Sequence, residues 1–252
     1  MRNEPIQALH AASRAPAAAP AVAPAGPTLL MAGATGALGN EMLRRLGGSG
    51  RFGRIQVLAR QPMTEGLRGV ACLVVPPEPD DSWPAVAAQV GVILFDPPRL
   101  FYQRERALWT PRPEQLRVLA GWMRSCGVAT LAVVLPHAQG RLPEALKRGL
   151  ANLDEQAVAA LGFERVLFVR SAQKPAPAPA GNPLVRTAHW MLSVLSYMVP
   201  SSDQPVRAAK VSELVAAALQ LAPPGIYVAG PELVWRASQG NLQALVAAWL
   251  GR

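Results

Sequence analysis

The chain has 252 residues, half of them hydrophobic, so it is long and apolar enough to bury one substantial core and is not a wholly disordered protein. Its formal net charge is +9, but the basic residues are scattered and form no basic stripe with interleaved aromatic residues. No nucleic-acid-binding motif is present, so we do not expect nucleic acid as a partner.

The first 27 residues predict a tether. Most of this segment is alanine and proline, and the prolines interrupt the apolar core that a secretory signal needs. We therefore expect residues 1–27 to be disordered or extended and residues 28–252 to form a single domain. The only cysteines, Cys72 and Cys126, have no partner at metal-ligand spacing, which predicts ordinary buried thiols, no metal site and a reducing, cytoplasmic location.

A glycine-rich turn follows the first predicted strand, Thr28–Ala32, and leads into a predicted helix, Ala37–Leu46. Gly33 allows a sharp turn, Gly36 removes a side chain where a pyrophosphate would approach the main chain, and Gly39 lets the helix pack closely on the strand. The helix-start amides would face the phosphates, although a tight turn without a ligand is the alternative. The predicted cofactor-binding residues of the turn are Gly33, Thr35, Gly36, Ala37, Leu38 and Gly39.

The second predicted strand, Arg54–Ala59, is followed by Arg60. In dinucleotide sites an acidic residue at this point binds the ribose 2′-hydroxyl, whereas a basic residue accommodates a 2′-phosphate. Arg60 therefore favours NADP(H) over NAD as the cofactor. The alternative is a solvated arginine at the end of a strand.

The rest of the chain alternates short apolar runs with amphipathic helices, which is typical of a parallel sheet covered on both faces. With right-handed crossovers this order predicts an α/β fold with a doubly wound, Rossmann-like parallel sheet. The further predicted strands are Gly69–Val75, Val90–Phe95, Ala129–Leu135, Arg165–Val169 and Gly225–Ala229, and the further predicted helices are Ser82–Gln89, Pro113–Cys126, Pro143–Leu161, Val211–Leu221 and Asn241–Leu250.

A second proline-rich break, Lys174–Gly181, predicts an exposed linker, after which we expect a small C-terminal lobe from about residue 182. The apolar stretch Leu184–Val199 is shorter than the ~20 residues needed to span a bilayer. We therefore expect a buried helix of this lobe, with a peripheral membrane or partner-binding helix as the alternative.

Four segments carry a resemblance to a known family: the G-x-T-G-x-x-G turn, Val57–Arg60, Ala160–Arg170 with its Leu-Gly-Phe turn, and Pro205–Leu219. On these segments the chain, from about Thr28 to Ala229, resembles the short-chain dehydrogenase/reductase superfamily. More narrowly, it resembles the atypical NAD(P)H-binding branch that includes NmrA-like proteins and the Tat-interacting-protein type of oxidoreductase. The resemblance implies a Rossmann-like fold and a nicotinamide cofactor.

The chain departs from this superfamily at the catalytic positions. Members typically use a serine at the end of the fifth strand and a Tyr-x-x-x-Lys pair on the next helix, in which the tyrosine transfers the proton. Here the serine is missing, and Pro143 stands four residues before Lys147. The candidate acid–base groups are His137, near the position of the missing serine, and Tyr102, after the fourth strand; a hydrogen-bonded loop histidine and a packing aromatic are the alternatives.

These features predict an NADP(H)-binding, short-chain dehydrogenase-like protein. One hypothesis is an oxidoreductase with non-standard acid–base groups. The other is a non-catalytic NADP(H)-binding regulatory, redox-sensing or assembly protein, which the broken Tyr-x-x-x-Lys pair favours. A binder that has lost the nucleotide is disfavoured by the intact glycine turn. Besides the nucleotide, the expected partner is an unidentified small-molecule substrate or a protein.

Asp96, after the fourth strand, lies near the expected site or caps the turn before Pro97.

Overall fold

In the part of the chain that the structure describes, seven parallel strands form one sheet in the order β3-β2-β1-β4-β5-β6-β7. The predicted α/β, doubly wound, Rossmann-like fold is confirmed by this order, which reverses between β1 and β4. The strands are β1 Thr28–Ala32, β2 Arg54–Ala59, β3 Val70–Val74, β4 Val90–Leu94, β5 Thr130–Leu135, β6 Arg165–Arg170 and β7 Gly225–Ala229. The structure, a computed structural model, describes residues 26–63, 69–80, 83–99, 102–135, 153–170 and 208–251.

The central strands are buried on both faces, which explains their near-continuous apolar sequences. In β1, Leu29 and Met31 pack into one core layer, and Leu30 and Ala32 pack into the other, because successive side chains of a strand point to opposite faces. All four side chains are fully buried. The sheet therefore separates two apolar layers, each of which needs a covering of helices.

Helices supply both coverings. One layer contains apolar side chains from α1, α5, α6 and α7, and the other contains apolar side chains from α3 and α4. The helices are α1 Gly36–Gly48, α2 Gln103–Ala107, α3 Leu116–Ser125, α4 Leu153–Ala159, α5 Ala208–Leu221, α6 Pro231–Gln239 and α7 Leu242–Trp249, with a 3-10 turn at Pro113–Gln115. No helix in the described part of the chain is long and apolar enough to cross a membrane.

The helix predicted over Ser82–Gln89 is wrong, because residues 83–89 have no helical structure. The amides of Ala88 and Gln89 donate instead to the carbonyl oxygens of Cys126 and Thr28, so the segment uses its hydrogen bonds to join neighbouring elements.

Helices α2 and α6 were not predicted. The tether through residue 25, the proline-rich linker, the apolar stretch at 184–199 and most of the helix predicted over 143–161 lie outside the described residues.

Candidate functional site

The glycine turn joins β1 to α1 at the point where the strand order reverses, which is the usual place for a ligand in this type of sheet. Gly33 has a φ of +80°, and a Cβ there would collide with the carbonyl oxygen of Leu94. At Gly39 a Cβ would lie 2.5 Å from the carbonyl oxygen of Gly33. Gly33 therefore makes the predicted sharp turn, and Gly39 lets α1 pack closely, against the backbone of the turn and not against the strand as the sequence predicts.

The first amides of α1 already have carboxylate partners from elsewhere in the chain. The Gly36 amide donates to Glu105 Oε2 over 3.0 Å, and the Leu38 amide donates to Asp96 Oδ2 over 2.8 Å. Two carboxylates thus cap the helix start, where amides and the helix dipole favour negative charge.

Glu105 is buried, with only 3 % of its surface exposed, and both carboxylate oxygens have two donors. Oε2 accepts from the amides of Gly36 and Arg99, and Oε1 accepts from Asn40 Nδ2 and the Arg99 guanidinium. Burial by itself would raise the pKa of Glu105, but the hydrogen bonds from Arg99 and the Gly36 amide outweigh it, and the pKa lies below its ordinary value. Glu105 is therefore held as a carboxylate.

Asp96 stands directly against Gly36. A Cβ at Gly36 would collide with the Asp96 carboxylate and would lie 2.8 Å from the carbonyl oxygen of Pro97. Burial raises the pKa of Asp96, the Leu38 amide partly offsets the shift, and the charge of Glu105 adds to it. The close approach that Gly36 permits is thus made by a side chain of the same chain.

Glu105 belongs to a segment, Tyr102–Thr110, that crosses the ends of β1 and β2 and that we name the strap. Its Ala107 carbonyl accepts from the Arg60 amide over 2.7 Å. The Trp109 amide donates to the Leu58 carbonyl over 3.0 Å, and the Trp109 carbonyl accepts from the Gly33 amide over 3.3 Å. The strap is therefore attached to both strands by main-chain hydrogen bonds.

Trp109 anchors the strap in the core. Its side chain is 1 % exposed, its indole Nε1 donates to the Pro77 carbonyl over 2.9 Å, and its ring packs edge-to-face on Trp83 at 5.0 Å. A second polar contact joins the strap to the glycine turn, since Thr110 Oγ1 lies 3.2 Å from the buried Thr35 Oγ1. The Thr35 hydroxyl donates to the Asp96 carbonyl over 2.5 Å.

A cavity of about 580 Å³ lies between α1, β2, β3 and the strap. Its volume is within the range of small-molecule sites. Apolar side chains form much of the wall, while Arg44, Arg99 and Arg104 contribute positive charge and Glu41 and Glu105 contribute negative charge. Arg44 is paired with Glu41 over 2.6 Å and Arg99 with Glu105, so Arg104 is the lining arginine that has no carboxylate partner among the ion pairs of the described residues.

The structure brings the six predicted residues of the glycine turn together, and neither Arg60 nor Tyr102 lines the cavity beside it. The Arg60 side chain is exposed at the end of β2 and does not line the cavity. Tyr102 is 52 % exposed, and the Arg99 guanidinium lies 3.7 Å above the centre of its ring, so it packs on the surface of the strap. His137 lies outside the described residues.

The donor set of the turn fits an anion, since the amides of Gly36 and Leu38 already hold two carboxylates. In this conformation these two amides are not open to a dinucleotide pyrophosphate, because Glu105 and Asp96 accept from them. Glu105 and Asn40 were not singled out from the sequence, although an acidic residue within the arginine-rich run Arg104–Arg106 is a detectable signal. Among the described residues, no group of three or more His, Cys, Asp or Glu is arranged to hold a metal ion.

No protein-family model and no curated protein matches the chain. Similar solved structures include a nucleoside-diphosphate-sugar epimerase from Staphylococcus aureus, with 14% identity, a TM-score of 0.47, and coverage of 81% of this chain and 71% of that one. Another is MoeE5 in complex with UDP-glucose and NAD, with 15% identity, a TM-score of 0.44 and coverage of 90% and 82%. The Bordetella bronchiseptica enzyme WbmG in complex with NAD has 12% identity, a TM-score of 0.44 and coverage of 85% and 79%.

These similarities are too remote to assign a ligand or a reaction. The Rossmann-like fold is established by the parallel strand order and by the glycine turn at its reversal point. The fold implied by the resemblance to the short-chain dehydrogenase/reductase superfamily is therefore confirmed.

Proposed function

We propose that the protein is a non-catalytic NADP(H)-binding protein with a regulatory or assembly role. The observation that carries this proposal is the anion-binding start of α1, where the amides of Gly36 and Leu38 hold carboxylates beside an arginine-containing cavity. When bound, the nucleotide would supply a pyrophosphate to these amides and a ribose or adenine to the cavity. The free thiols of Cys72 and Cys126 support a reducing compartment such as the cytoplasm.

A catalytic role receives less support. Tyr102 packs against Arg99 on the exposed side of the strap, and the sequence lacks the superfamily's serine and Tyr-x-x-x-Lys pair. A proton donor has to lie within hydrogen-bond reach of the reacting group, and Tyr102 does not line the cavity. We therefore favour binding over hydride transfer.

The proposal is tested first by calorimetric titration of the full chain with NADPH and NADH. Tight, NADPH-selective binding without turnover of carbonyl or quinone substrates is the expected result. Absence of binding to either nucleotide would overturn the proposal. Turnover that is abolished by His137→Ala would favour the oxidoreductase hypothesis instead.

The NADP preference is tested separately at Arg60. Arg60→Ala should weaken NADPH binding by about tenfold or more while leaving NADH binding unchanged, because a charge-assisted contact to a 2′-phosphate is lost. The matched control is Arg54→Ala, which removes an exposed arginine at the opposite end of the same strand. Equal loss of both nucleotides in Arg60→Ala would contradict the 2′-phosphate role and direct attention to Arg44 and Arg104 in the cavity wall.

A further inference from the structure

We infer that the strap is an internal competitor of the nucleotide, so that binding of NADP(H) and attachment of the strap exclude one another. This inference rests on the proposed function and adds a form of regulation to the same site. Its basis is the position of a strap carboxylate, Glu105, on the Gly36 amide that a pyrophosphate would use, beside Asp96, which lies before the strap and holds the Leu38 amide.

The first argument is the completeness of the internal cap. Glu105 satisfies four donors, and Asp96 satisfies the Leu38 amide of the same helix turn. A carboxylate has about four lone-pair sites, so Glu105 is fully used. A pyrophosphate could gain these amides only by displacing groups of like charge, because two anions cannot share them.

The second argument is that Glu105 cannot leave alone. It lies in the short helix α2 within the strap, between Tyr102, whose carbonyl accepts from the Glu105 amide over 3.0 Å, and Trp109, which is fixed to the turn and to β2. The strap also covers the cavity, to which it contributes Arg104, Glu105 and Leu108. Displacement of the carboxylate removes the side-chain bonds that join the strap to Gly36, Asn40 and Arg99.

The third argument is linkage. If the nucleotide binds only after the strap is released, the measured affinity is the affinity of the released form multiplied by the fraction of molecules in that form. The coupling is reciprocal, so the nucleotide must lower strap attachment by the same factor. The surface that the strap covers, or the released strap itself, is then presented only by the nucleotide-bound protein.

The inference is tested by comparing NADPH affinity in the wild-type chain, Glu105→Ala and Glu105→Gln. Glu105→Ala removes the competing group, and we expect it to bind NADPH about tenfold or more tightly than the wild type, since bonds to a charged group commonly contribute that factor. Glu105→Gln keeps the shape but removes the charge and sets an amide nitrogen against these donors, so it should also bind NADPH more tightly than the wild type. The control is Glu78→Gln, which removes an exposed carboxylate that also pairs with an arginine, Arg112.

Limited proteolysis with trypsin supplies a readout that needs no variant. Arg104 and Arg106 are exposed trypsin sites within the strap, and Arg51, in the loop before β2, is an exposed reference site. NADPH should accelerate cleavage after Arg104 and Arg106 relative to Arg51. Ordinary ligand stabilisation would slow it, so the sign of the effect decides the question even if Glu105→Ala does not fold.

The outcomes separate the inference from the proposed function. Equal NADPH affinity in all three proteins, together with slower strap cleavage, overturns the competition and leaves NADP(H) binding intact. Failure of the wild type and both variants to bind NADPH overturns the proposed function and the competition with it. Tighter binding by the Glu105 variants than by a wild type that itself binds NADPH supports both.

Discussion

The contacts of Glu105 predict a large and pH-dependent loss of stability in Glu105→Gln. A glutamine at this position must place its amide nitrogen at one of two sites. One site faces the amides of Gly36 and Arg99, and the other faces Asn40 Nδ2 and the Arg99 guanidinium. All of these groups are donors, so either orientation sets donor against donor. Because hydrogen bonds to a charged group contribute about 1.5–3 kcal/mol, we expect the free energy of unfolding to fall by about 2–3 kcal/mol at neutral pH.

The pH dependence has a defined sign. The folded-state pKa of Glu105 lies below the ordinary value of 4.5, so its stabilising effect is fully present above about that pH and is lost as the pH falls through the folded-state pKa. The gap in unfolding free energy between wild type and variant should therefore shrink under acidic conditions.

Urea denaturation at neutral pH and at a series of acidic pH values measures both effects. The control Glu78→Gln removes a largely exposed ion pair and should change stability by less than about 1 kcal/mol. A Glu105→Gln variant as stable as the wild type at neutral pH, or a gap that does not depend on pH, would refute the assignment of Glu105 as a buried carboxylate cap.

Three further predictions concern stability, each measured by urea denaturation. Gly39→Ala should lower the free energy of unfolding by about 1–3 kcal/mol, because its Cβ would lie 2.5 Å from a backbone oxygen of the turn. The control Gly121→Ala, in helix α3 with open space around the new Cβ, should raise the free energy of unfolding by up to about 1 kcal/mol. Equal effects of the two substitutions would contradict the packing argument. Asp96→Asn should be neutral or slightly stabilising at neutral pH, because the raised pKa of Asp96 means that folding disfavours its ionised form. The wild type should therefore lose stability as the pH rises above the ordinary pKa of 3.8. A fall in unfolding free energy of more than about 1 kcal/mol in Asp96→Asn at neutral pH would contradict a raised pKa. Trp109→Phe should cost about 1–3 kcal/mol, because it leaves a carbonyl without its indole donor, and an unchanged denaturation midpoint would show that the indole bond is dispensable.

The sequence predicts the sheet well because the strands carry a local signal. Thr28–Ala32 and Arg54–Ala59 have the bounds expected from their apolar runs, since strands buried on both faces need apolar residues at nearly every position. The segment 83–89 was mistaken for a helix because its composition permits one. Its amides bond to residues far away in the sequence, and such partners leave no local pattern.

The same limit applies to the candidate site. The turn's glycines and their backbone roles can be predicted from the sequence, because a positive φ and a close approach leave a glycine signature. The identity of the group that binds the amides cannot be predicted from the sequence, because Glu105 and Asp96 lie 69 and 58 residues beyond the amides they cap. A motif for binding a pyrophosphate and a motif capped by the chain's own carboxylates look alike over seven residues.

This separation along the chain also sets the order in which the protein acquires its structure. Helix α1 begins with glycines at 36 and 39, which are poor helix formers, and Thr35 at its N-cap provides no side-chain cap of its own. During synthesis the first turn of α1 must therefore wait until β4 and the strap have emerged. We expect this turn to be a late event in folding, with the Gly36 and Leu38 amides protected from hydrogen exchange only after the β1–β4 pairing has formed.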